Sequence, residues 1–367
     1  MDGLLVVVTV ALRAACRGAG GAYNATRPRL RWRATWVRNG YVDRKLLVDS
    51  LIFSVNATFP IFLTMLVGML LRRLGMMDQS FTDYLNGFVF KVALPVLLFQ
   101  DLATQDFAAA WDGRFVLFCF LATAASMAGI VLLSRVLVRD VGQRGEFIQA
   151  SYRSSAAILG IAFIQSIYGS APSSMAALMI LGSVPLYNVF AVVVLTLTAD
   201  GGGERASAGE LARKAVRGVV TNPIIIGIVV GFAWSLLGLP MPVVLGSTVK
   251  NVAVLATPLG LIAMGASFDF RAARGSVGIA TVATLIKLVV LVAIFMPVAI
   301  HLGFRDQQLV ALLVMLGSAS TVSCYIMARN MGHDGVLTST IVMMTTLGCA
   351  LTLTGWLWML RAGGFVG

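Results

Sequence analysis

Long apolar segments separated by short polar turns cover the chain from about residue 51 to residue 360. A helix needs about 20 consecutive, mainly apolar residues to cross a bilayer, and ten segments come close to that length. We therefore predict an all-α membrane protein with ten transmembrane helices. The predicted spans are 51–71, 84–103, 115–138, 147–168, 175–198, 221–238, 248–268, 277–300, 308–330 and 336–360.

An internal repeat relates the two halves of this pattern, because a shift of 163 residues superimposes many positions. Two apolar sequences share apolar residues by chance, but not prolines, glycines and Asp-Phe pairs at one fixed offset. The coincident pairs include Thr58 and Thr221, Pro60 and Pro223, Gly68 and Gly231, Gly75 and Gly238, Pro95 and Pro258, and Asp106-Phe107 and Asp269-Phe270. Each half holds five spans, and an odd number reverses the direction of the second copy. We therefore predict two inverted five-helix repeats, an architecture of secondary transporters.

The repeats divide the chain into four parts. These are an N-terminal extension (1–50), the first repeat (51–198), a cytoplasmic linker (199–220) and the second repeat (221–360). In the extension, the apolar run from Leu4 to Leu12 is too short to span a bilayer. It also lacks the preceding basic residues of a signal peptide. We expect the extension to be disordered or processed.

Composition supports the membrane assignment, since 58% of the residues are hydrophobic and only 12% are charged, against about a quarter charged in a soluble domain. A net charge of +12 invites a nucleic-acid partner. However, nine of the 28 basic residues lie in the first 45 positions, and most others flank apolar spans. Their bias toward the linker side is the positive-inside pattern. We expect no nucleic-acid partner, a multi-pass protein of the cytoplasmic (inner) membrane, and both termini outside.

Two polar interruptions lie inside predicted spans four and nine. The first, within 152–162, carries Arg153, Ser154, Ser155 and Gly160; the second, within 316–326, carries Ser318, Ser320, Thr321 and Ser323. A broken helix frees backbone polar groups, which a membrane tolerates only where they face protein or a cavity. The half-helix N-termini can then hold an anion. We predict that the two interruptions face each other at mid-membrane and form a substrate-binding site. The alternative for their small residues is ordinary helix packing.

Charged side chains within spans are functional candidates because burying them in a bilayer is costly. Lys91, Arg153 and Lys287 qualify, whereas no Asp or Glu lies clearly in the middle of a span. Cations without a buried carboxylate suit an anionic substrate, so all three belong to the predicted substrate-binding site. The two lysines could instead extend along neighbouring helices to the membrane interface. Asn188, a polar group at membrane depth, either lines the cavity or joins helices.

Signatures of an enzyme are absent from the sequence, which has no Walker loop and no nucleotide-binding glycine pattern in a strand context. Cys16, Cys119, Cys324 and Cys349 lack the spacing of metal ligands or of a disulfide framework. We therefore expect no enzymatic activity, no cofactor and no metal site. The thiols are expected to serve packing.

Several short strings are specific in combination, although each alone is weak. They are LNGFVFKVALPVLLF at 85–99, YRSS at 152–155, ILG at 158–160, VPLYNV at 184–189, NPIIIG at 222–227, ATPL at 256–259 and STVSCYIMA at 320–328. Together they resemble the auxin efflux carrier family over about residues 50–360, in the style of its bacterial permeases.

The resemblance implies that spans four and nine are unwound and cross each other. It also implies a scaffold of spans one, two, six and seven that carries a homodimer surface, and a moving transport domain made of the others. Substrates would be organic anions, which are auxin in plant members and malate, malonate or similar carboxylates in bacterial relatives. The family often has proline at each crossover, where this chain has Ala162 and Ser320. Its crossovers would then depend on Gly160 and on hydroxyl residues.

We therefore expect a secondary carrier, a permease or efflux carrier, that moves a small organic anion by alternating access. An ion gradient or the membrane potential would drive it. Two alternatives stay open at this point. One is a membrane-embedded ligand sensor or channel-like module that binds without turnover. The other is a cation-coupled symporter of the bile-acid type, for which uptake would depend on sodium.

Overall fold

The computed structural model describes residues 44–104, 111–156, 163–164, 167–168, 174–199 and 208–366. These residues form helices and turns, with no strand among them. The helices, in chain order, are α1 (Arg44–Arg73), α2 (Gln79–Phe88), α3 (Leu94–Ala103), α4 (Gly113–Leu137), α5 (Val141–Tyr152), α6 (Ser174–Thr198), α7 (Ala208–Val220), α8 (Pro223–Leu236), α9 (Val243–Ala253), α10 (Ala256–Ala266), α11 (Phe270–Leu285), α12 (Leu291–His301), α13 (Asp306–Gly317), α14 (Val322–Asn330) and α15 (Val336–Ala362).

Seven helical segments in the described part of the chain are long and apolar enough to cross a membrane. They are Gln79–Ala103, Gly113–Leu137, Met175–Thr198, Val243–Ala266, Phe270–His301, Asp306–Asn330 and Val336–Ala362. The pair Ala212–Val220 and Pro223–Leu236, bent by 57°, makes an eighth if it counts as one span. The prediction of an all-helical, multi-pass membrane protein is thus confirmed.

Two helical boundaries differ from the sequence-based expectation. Helix α1 begins at Arg44, so its first residues belong to the predicted extension, whose residues 1–43 lie outside the described part. The predicted linker contains the 13-residue helix α7. That helix packs against α6, where Gly218 lies beside Thr196 so closely that a Cβ atom would be 2.9 Å from the threonine hydroxyl. The available signal for this helix was the spacing of its charged residues, which fall at positions i, i+3, i+4 and i+7, on one face of a helix: Glu210, Arg213, Lys214 and Arg217.

Aspartate side chains fix where several helices begin. Asp78 accepts a hydrogen bond of 2.7 Å from the N–H of Phe81 at the start of α2, and Asp269 accepts one of 2.7 Å from Arg271 at the start of α11. Asp112 and Asp140 cap α4 and α5 in the same way. The first N–H groups of a helix have no partner inside it, so such caps stabilise its end.

Glycines allow two pairs of helices to approach closely. A Cβ atom on Gly68 of α1 would lie 2.1 Å from the carbonyl oxygen of Ile262 in α10. A Cβ atom on Gly231 of α8 would lie 2.6 Å from the carbonyl oxygen of Phe99 in α3. Gly68 and Gly231 are separated by 163 residues, and so are Phe99 and Ile262. The same contact between the two repeats therefore occurs twice, with the glycine supplied once by the first repeat and once by the second.

Helices α13 and α14 lie in the interior of the protein. In the span Asp306–Asn330 that they form, 94% of an 18-residue apolar segment is buried. The corresponding share is 39% in Gln79–Ala103 and in Gly113–Leu137. Large apolar side chains such as Val243 (84% exposed) and Val136 (80% exposed) cover the outside. The interruption between α13 and α14 therefore faces protein, which is where a membrane protein can accommodate an irregular backbone.

Two lysines each lie in a single π-helical turn. The turn Val89–Ala93 between α2 and α3 contains Lys91, and the turn Ile286–Val290 between α11 and α12 contains Lys287. In the second turn the N–H of Leu291 bonds to the carbonyl of Ile286, five residues earlier. Such a turn inserts one extra residue and rotates the side chains after it, and it often occurs at functional positions.

Candidate functional site

A helix ends at each of the two polar interruptions predicted from the sequence. Helix α5 ends at Tyr152, and Arg153 has an extended backbone (φ −67°, ψ 134°). Helix α13 ends at Gly317, Ser318 is also extended (φ −78°, ψ 167°), and α14 starts at Val322. Each break leaves the last carbonyls of one half-helix without their usual partners.

The two breaks contact each other. The backbone N–H of Ser155 donates a 3.0 Å hydrogen bond to the carbonyl of Ala319. The Ser320 hydroxyl donates to the carbonyl of Ala150 at 2.6 Å, and the Ser154 hydroxyl donates to the carbonyl of Met315. Each interruption thus donates hydrogen bonds, from backbone N–H or hydroxyl groups, to carbonyl oxygens of the other segment. We call this region, residues 149–155 and 315–324, the crossing.

Arg153 lies at the crossing and is 3% exposed. Its Nη2 atom donates to Asn188 Oδ1 and to Ser323 Oγ, both at 2.9 Å, and its Nη1 atom donates to the sulfur of Met327 at 2.7 Å. Its Nε atom has no hydrogen-bond partner. All three partners are neutral, and among the described residues no carboxylate forms a salt bridge with Arg153. Its positive charge is therefore buried without a counter-ion.

Lys287 also reaches the crossing, from the π-helical turn between α11 and α12, and it is fully buried. Its ammonium group donates to the carbonyls of Tyr152 at 3.1 Å, Leu316 at 2.9 Å and Met315 at 3.4 Å, and to the Ser154 hydroxyl. The alternative that this lysine extends to the membrane interface is therefore wrong. The carbonyls of Tyr152 and Leu316 lie at the C-terminal ends of α5 and α13, where the helix dipole is negative.

Hydroxyl groups surround the start of α14. Thr321 caps this helix, and its Oγ1 atom lies 3.4 Å from the N–H and 3.2 Å from the Oγ of Ser323. The N–H of Ser320 donates to Thr345 on α15 at 3.1 Å. The hydroxyl of Ser318 is buried and has no partner. The positive end of α14 thus lies beside Arg153, with hydroxyl groups available around it.

Two predicted site residues are not brought to the crossing by the described structure. Lys91 is exposed, and the described contacts include none between its side chain and either interruption. Gly160 lies outside the described residues. Asn188, which the sequence left between cavity lining and helix joining, bonds to Arg153 and also donates to the Val184 carbonyl at 2.9 Å.

Gln149 is a residue of the crossing that the sequence reasoning missed. It is fully buried on α5, and its Nε2 atom donates to the carbonyl of Cys324 at 2.9 Å, while its Oε1 atom has no partner. Gln149 lies four residues before Arg153, the C-cap residue at which α5 ends. That spacing of two polar residues within an apolar run was the signal that could have found it.

A second polar cluster lies at the other end of α5. The Glu146 carboxylate accepts hydrogen bonds from the N–H groups of Gly335 (3.0 Å) and Thr338 (2.8 Å) and from the Thr338 hydroxyl (2.9 Å). His333 lies 3.0 Å from the carbonyls of both Gly142 and Leu195. A cavity of about 350 Å³ opens beside these residues. No cluster of three or more His, Cys, Asp or Glu that could hold a metal occurs in the described part of the chain.

Comparison with known proteins identifies the family of this chain. A family model described as "membrane transport protein" matches residues 53–357. The chain belongs to this family, that of the auxin efflux carriers. The resemblance drawn from the short strings is thereby confirmed, and transport across a membrane is the family's general role.

Two relatives in the family match most of the chain. One, from Methanothermobacter thermautotrophicus, is named "Uncharacterized transporter"; it is 23% identical over 304 residues, which is 83% of this chain and 97% of the relative. The other, from Rhizobium meliloti, is named "Putative malonate transporter"; it is 24% identical over 319 residues, which is 83% of this chain and 95% of the relative. Both therefore align over nearly their whole length.

Proposed function

We propose that this member of the auxin efflux carrier family is a secondary active transporter of small organic anions, with carboxylates as the main class. The proposed binding site is the crossing. The observation that carries the proposal is Arg153, a guanidinium that is almost fully buried and has only neutral partners. A buried charge without a counter-ion is costly, and a bound carboxylate would supply that counter-ion.

The surroundings of Arg153 favour a carboxylate as the ligand. A guanidinium presents several N–H groups in a planar fork that matches two carboxylate oxygens, and its Nε atom is unpartnered. The N-terminus of α14 adds the positive end of a helix dipole next to it. One relative is named for malonate, a dicarboxylate, which agrees with this chemistry.

We further propose that ten spans form two inverted five-helix repeats, and that spans four and nine are the broken helices. Support comes from the 163-residue offset, which relates the contact of Gly68 with Ile262 to that of Gly231 with Phe99. Crossed, discontinuous helices at the interface of inverted repeats form the substrate site in several transporter folds. Alternating access would then move the crossing relative to the remaining helices. The charge bias favours a cytoplasmic membrane with both termini outside.

Uptake by reconstituted vesicles tests the proposal. Purified protein in liposomes is offered radiolabelled malonate, malate, succinate and acetate, with an uncharged sugar as a control substrate. The proposal predicts saturable uptake of at least one carboxylate and none of the sugar. Arg153→Ala should abolish this uptake, whereas Arg135→Ala, a change at an exposed arginine at the end of α4, should not. Binding of a carboxylate without flux would favour a sensor instead.

A further inference from the structure

The ammonium group of Lys287 occupies a site built from oxygen atoms. Three main-chain carbonyls, those of Tyr152, Met315 and Leu316, and the hydroxyl of Ser154 converge on it. The three carbonyl oxygens lie 2.9 to 3.4 Å from the Nζ atom. The side chain is fully buried, and it enters from a third span, through the π-helical turn Ile286–Val290.

These oxygens are of the kind that bind a monovalent metal cation. The C-terminal ends of α5 and α13 carry partial negative charge. In transporters with discontinuous helices, unwound carbonyls and half-helix C-termini coordinate sodium. Here both half-helix C-termini point their last carbonyls at one atom, and that atom is Lys287 Nζ.

The ammonium group of Lys287 has no N–H donor left for a substrate. An ammonium group has three N–H donors and no acceptor, and four oxygen acceptors already surround it. By contrast, the Nε atom of Arg153 has no partner. The two buried cations of the crossing therefore differ in role, since one is fully occupied by the protein and the other has a free donor.

We propose that Lys287 is a tethered cation that takes the place of a coupling sodium ion. It holds the C-terminal ends of the two broken helices together and neutralises their dipoles, so the carrier needs no metal cation at this position. Lys287 is then a positioning residue, not a substrate contact. This inference rests on the proposed transport function, because only a transporter would use a coupling ion at this position.

Chemical rescue of a lysine-free variant tests the proposal. Uptake of malonate, or of the carboxylate found to be transported, is measured for the wild-type protein and Lys287→Ala with N-methylglucamine, sodium, methylammonium or tetramethylammonium as the monovalent cation. The wild-type protein should transport equally well in all four. Because the charged donor of these buried hydrogen bonds is lost, Lys287→Ala should lose about tenfold or more of its uptake rate in N-methylglucamine. Sodium or methylammonium should restore much of it, whereas tetramethylammonium, which has no N–H group, should not.

A thermal-stability assay in detergent separates this inference from the proposed function, because it needs no substrate. The melting temperature of Lys287→Ala should rise with added sodium or methylammonium, whereas that of the wild-type protein and of Lys250→Met, a change at an exposed lysine, should not. Sodium-dependent wild-type uptake would overturn the proposal. A folded Lys287→Ala that no small cation rescues or stabilises would overturn it too. If that variant does not fold, the sodium dependence of the wild-type protein decides the question alone.

Discussion

The Nη2 atom of Arg153 donates a hydrogen bond of 2.9 Å to the Oδ1 atom of Asn188, so the partner of this buried cation on α6 is a neutral amide. A carboxylate at position 188 would have neutralised the guanidinium within the protein. The amide instead orients the side chain and leaves its charge for the proposed anionic ligand. This contact joins the crossing to α6, and it explains why a polar residue lies within the apolar span Met175–Thr198.

Replacing the amide by a carboxylate tests this arrangement. Asn188→Asp has nearly the same shape but places a negative charge beside Arg153, so it should compete with an anionic substrate. We expect the apparent affinity for the transported carboxylate to fall by about tenfold or more, since close charge pairs contribute more than about 1.4 kcal/mol. Equilibrium binding to the purified variant measures this change.

A matched variant controls for the loss of the amide itself. Asn188→Asp also loses the hydrogen bond from Asn188 Nδ2 to the Val184 carbonyl, and Asn188→Ser loses it without adding charge. The serine variant should therefore bind the carboxylate more tightly than the aspartate variant. Equal affinity of the two variants would show that the charge of Arg153 does not hold the substrate.

Arg153→Lys keeps the charge but removes the planar fork. Lysine cannot contact Asn188 and Ser323 while presenting a second donor to a carboxylate in the same plane. We expect this variant to retain transport with a KM raised by about tenfold, and Arg153→Ala to show no saturable uptake. Initial uptake rates over a range of substrate concentrations give both constants. Wild-type kinetics in Arg153→Ala would rule out Arg153 as an anion contact.

Close packing at Gly68 and Gly231, the two glycines related by the 163-residue offset, leads to a prediction about stability. Gly68→Ala and Gly231→Ala would push a methyl group against the carbonyls of Ile262 and Phe99, which belong to rigid helices. Each change should destabilise the protein by about 1–3 kcal/mol, seen as a lower melting temperature. Gly87→Ala, in α2 with no atom within 4 Å of the added Cβ, should stabilise it by about 0.5–1 kcal/mol. Similar effects at all three positions would contradict the packing described.

Glu146 should matter for stability because it caps α15 from another helix. Glu146→Gln keeps the size but offers one acceptor oxygen where the carboxylate offers two to Gly335 and Thr338. We expect a loss of about 1–3 kcal/mol from the N–H left without an acceptor. Hydrogen exchange should become faster at residues 335–338 in this variant. Asp334→Asn, an exposed change in the same loop, should leave that exchange rate unchanged.

The sequence predicts the location of the crossing because its residue types conflict with an apolar span. Arg153, Ser154 and Ser155 in one span, and Ser318 to Ser323 in another, offer polar groups at a depth where lipid accepts none. The structure places both sets against each other, as the bond between Ser155 and Ala319 shows. The sequence also marks Asn188 as a polar group at membrane depth, and the structure shows it bonded to Arg153.

The role of Lys287 could not be read from the sequence for a physical reason. Its acceptors are main-chain carbonyls, which every residue has, and they come from two helices more than 100 positions apart from each other. Only the path of the backbone brings them together. Glu146 is a similar case, because it accepts from the N–H groups of Gly335 and Thr338. Nothing in the types of these two residues indicates that a side chain on α5 caps α15. Predictions from residue type succeed where the residue itself is unusual, and they fail where the partner is backbone.

A structure of the protein with a bound carboxylate would show whether Arg153 and the crossing hold the substrate. Crystals or vitrified particles are prepared with malonate, or with the carboxylate that the vesicles take up. We expect ligand density at the crossing, within hydrogen-bonding distance of the Arg153 guanidinium and next to the first turn of α14, with the Lys287 ammonium still bound to the carbonyls of Tyr152 and Leu316. Density in the cavity beside Glu146 and His333, with Arg153 left unchanged, would contradict it.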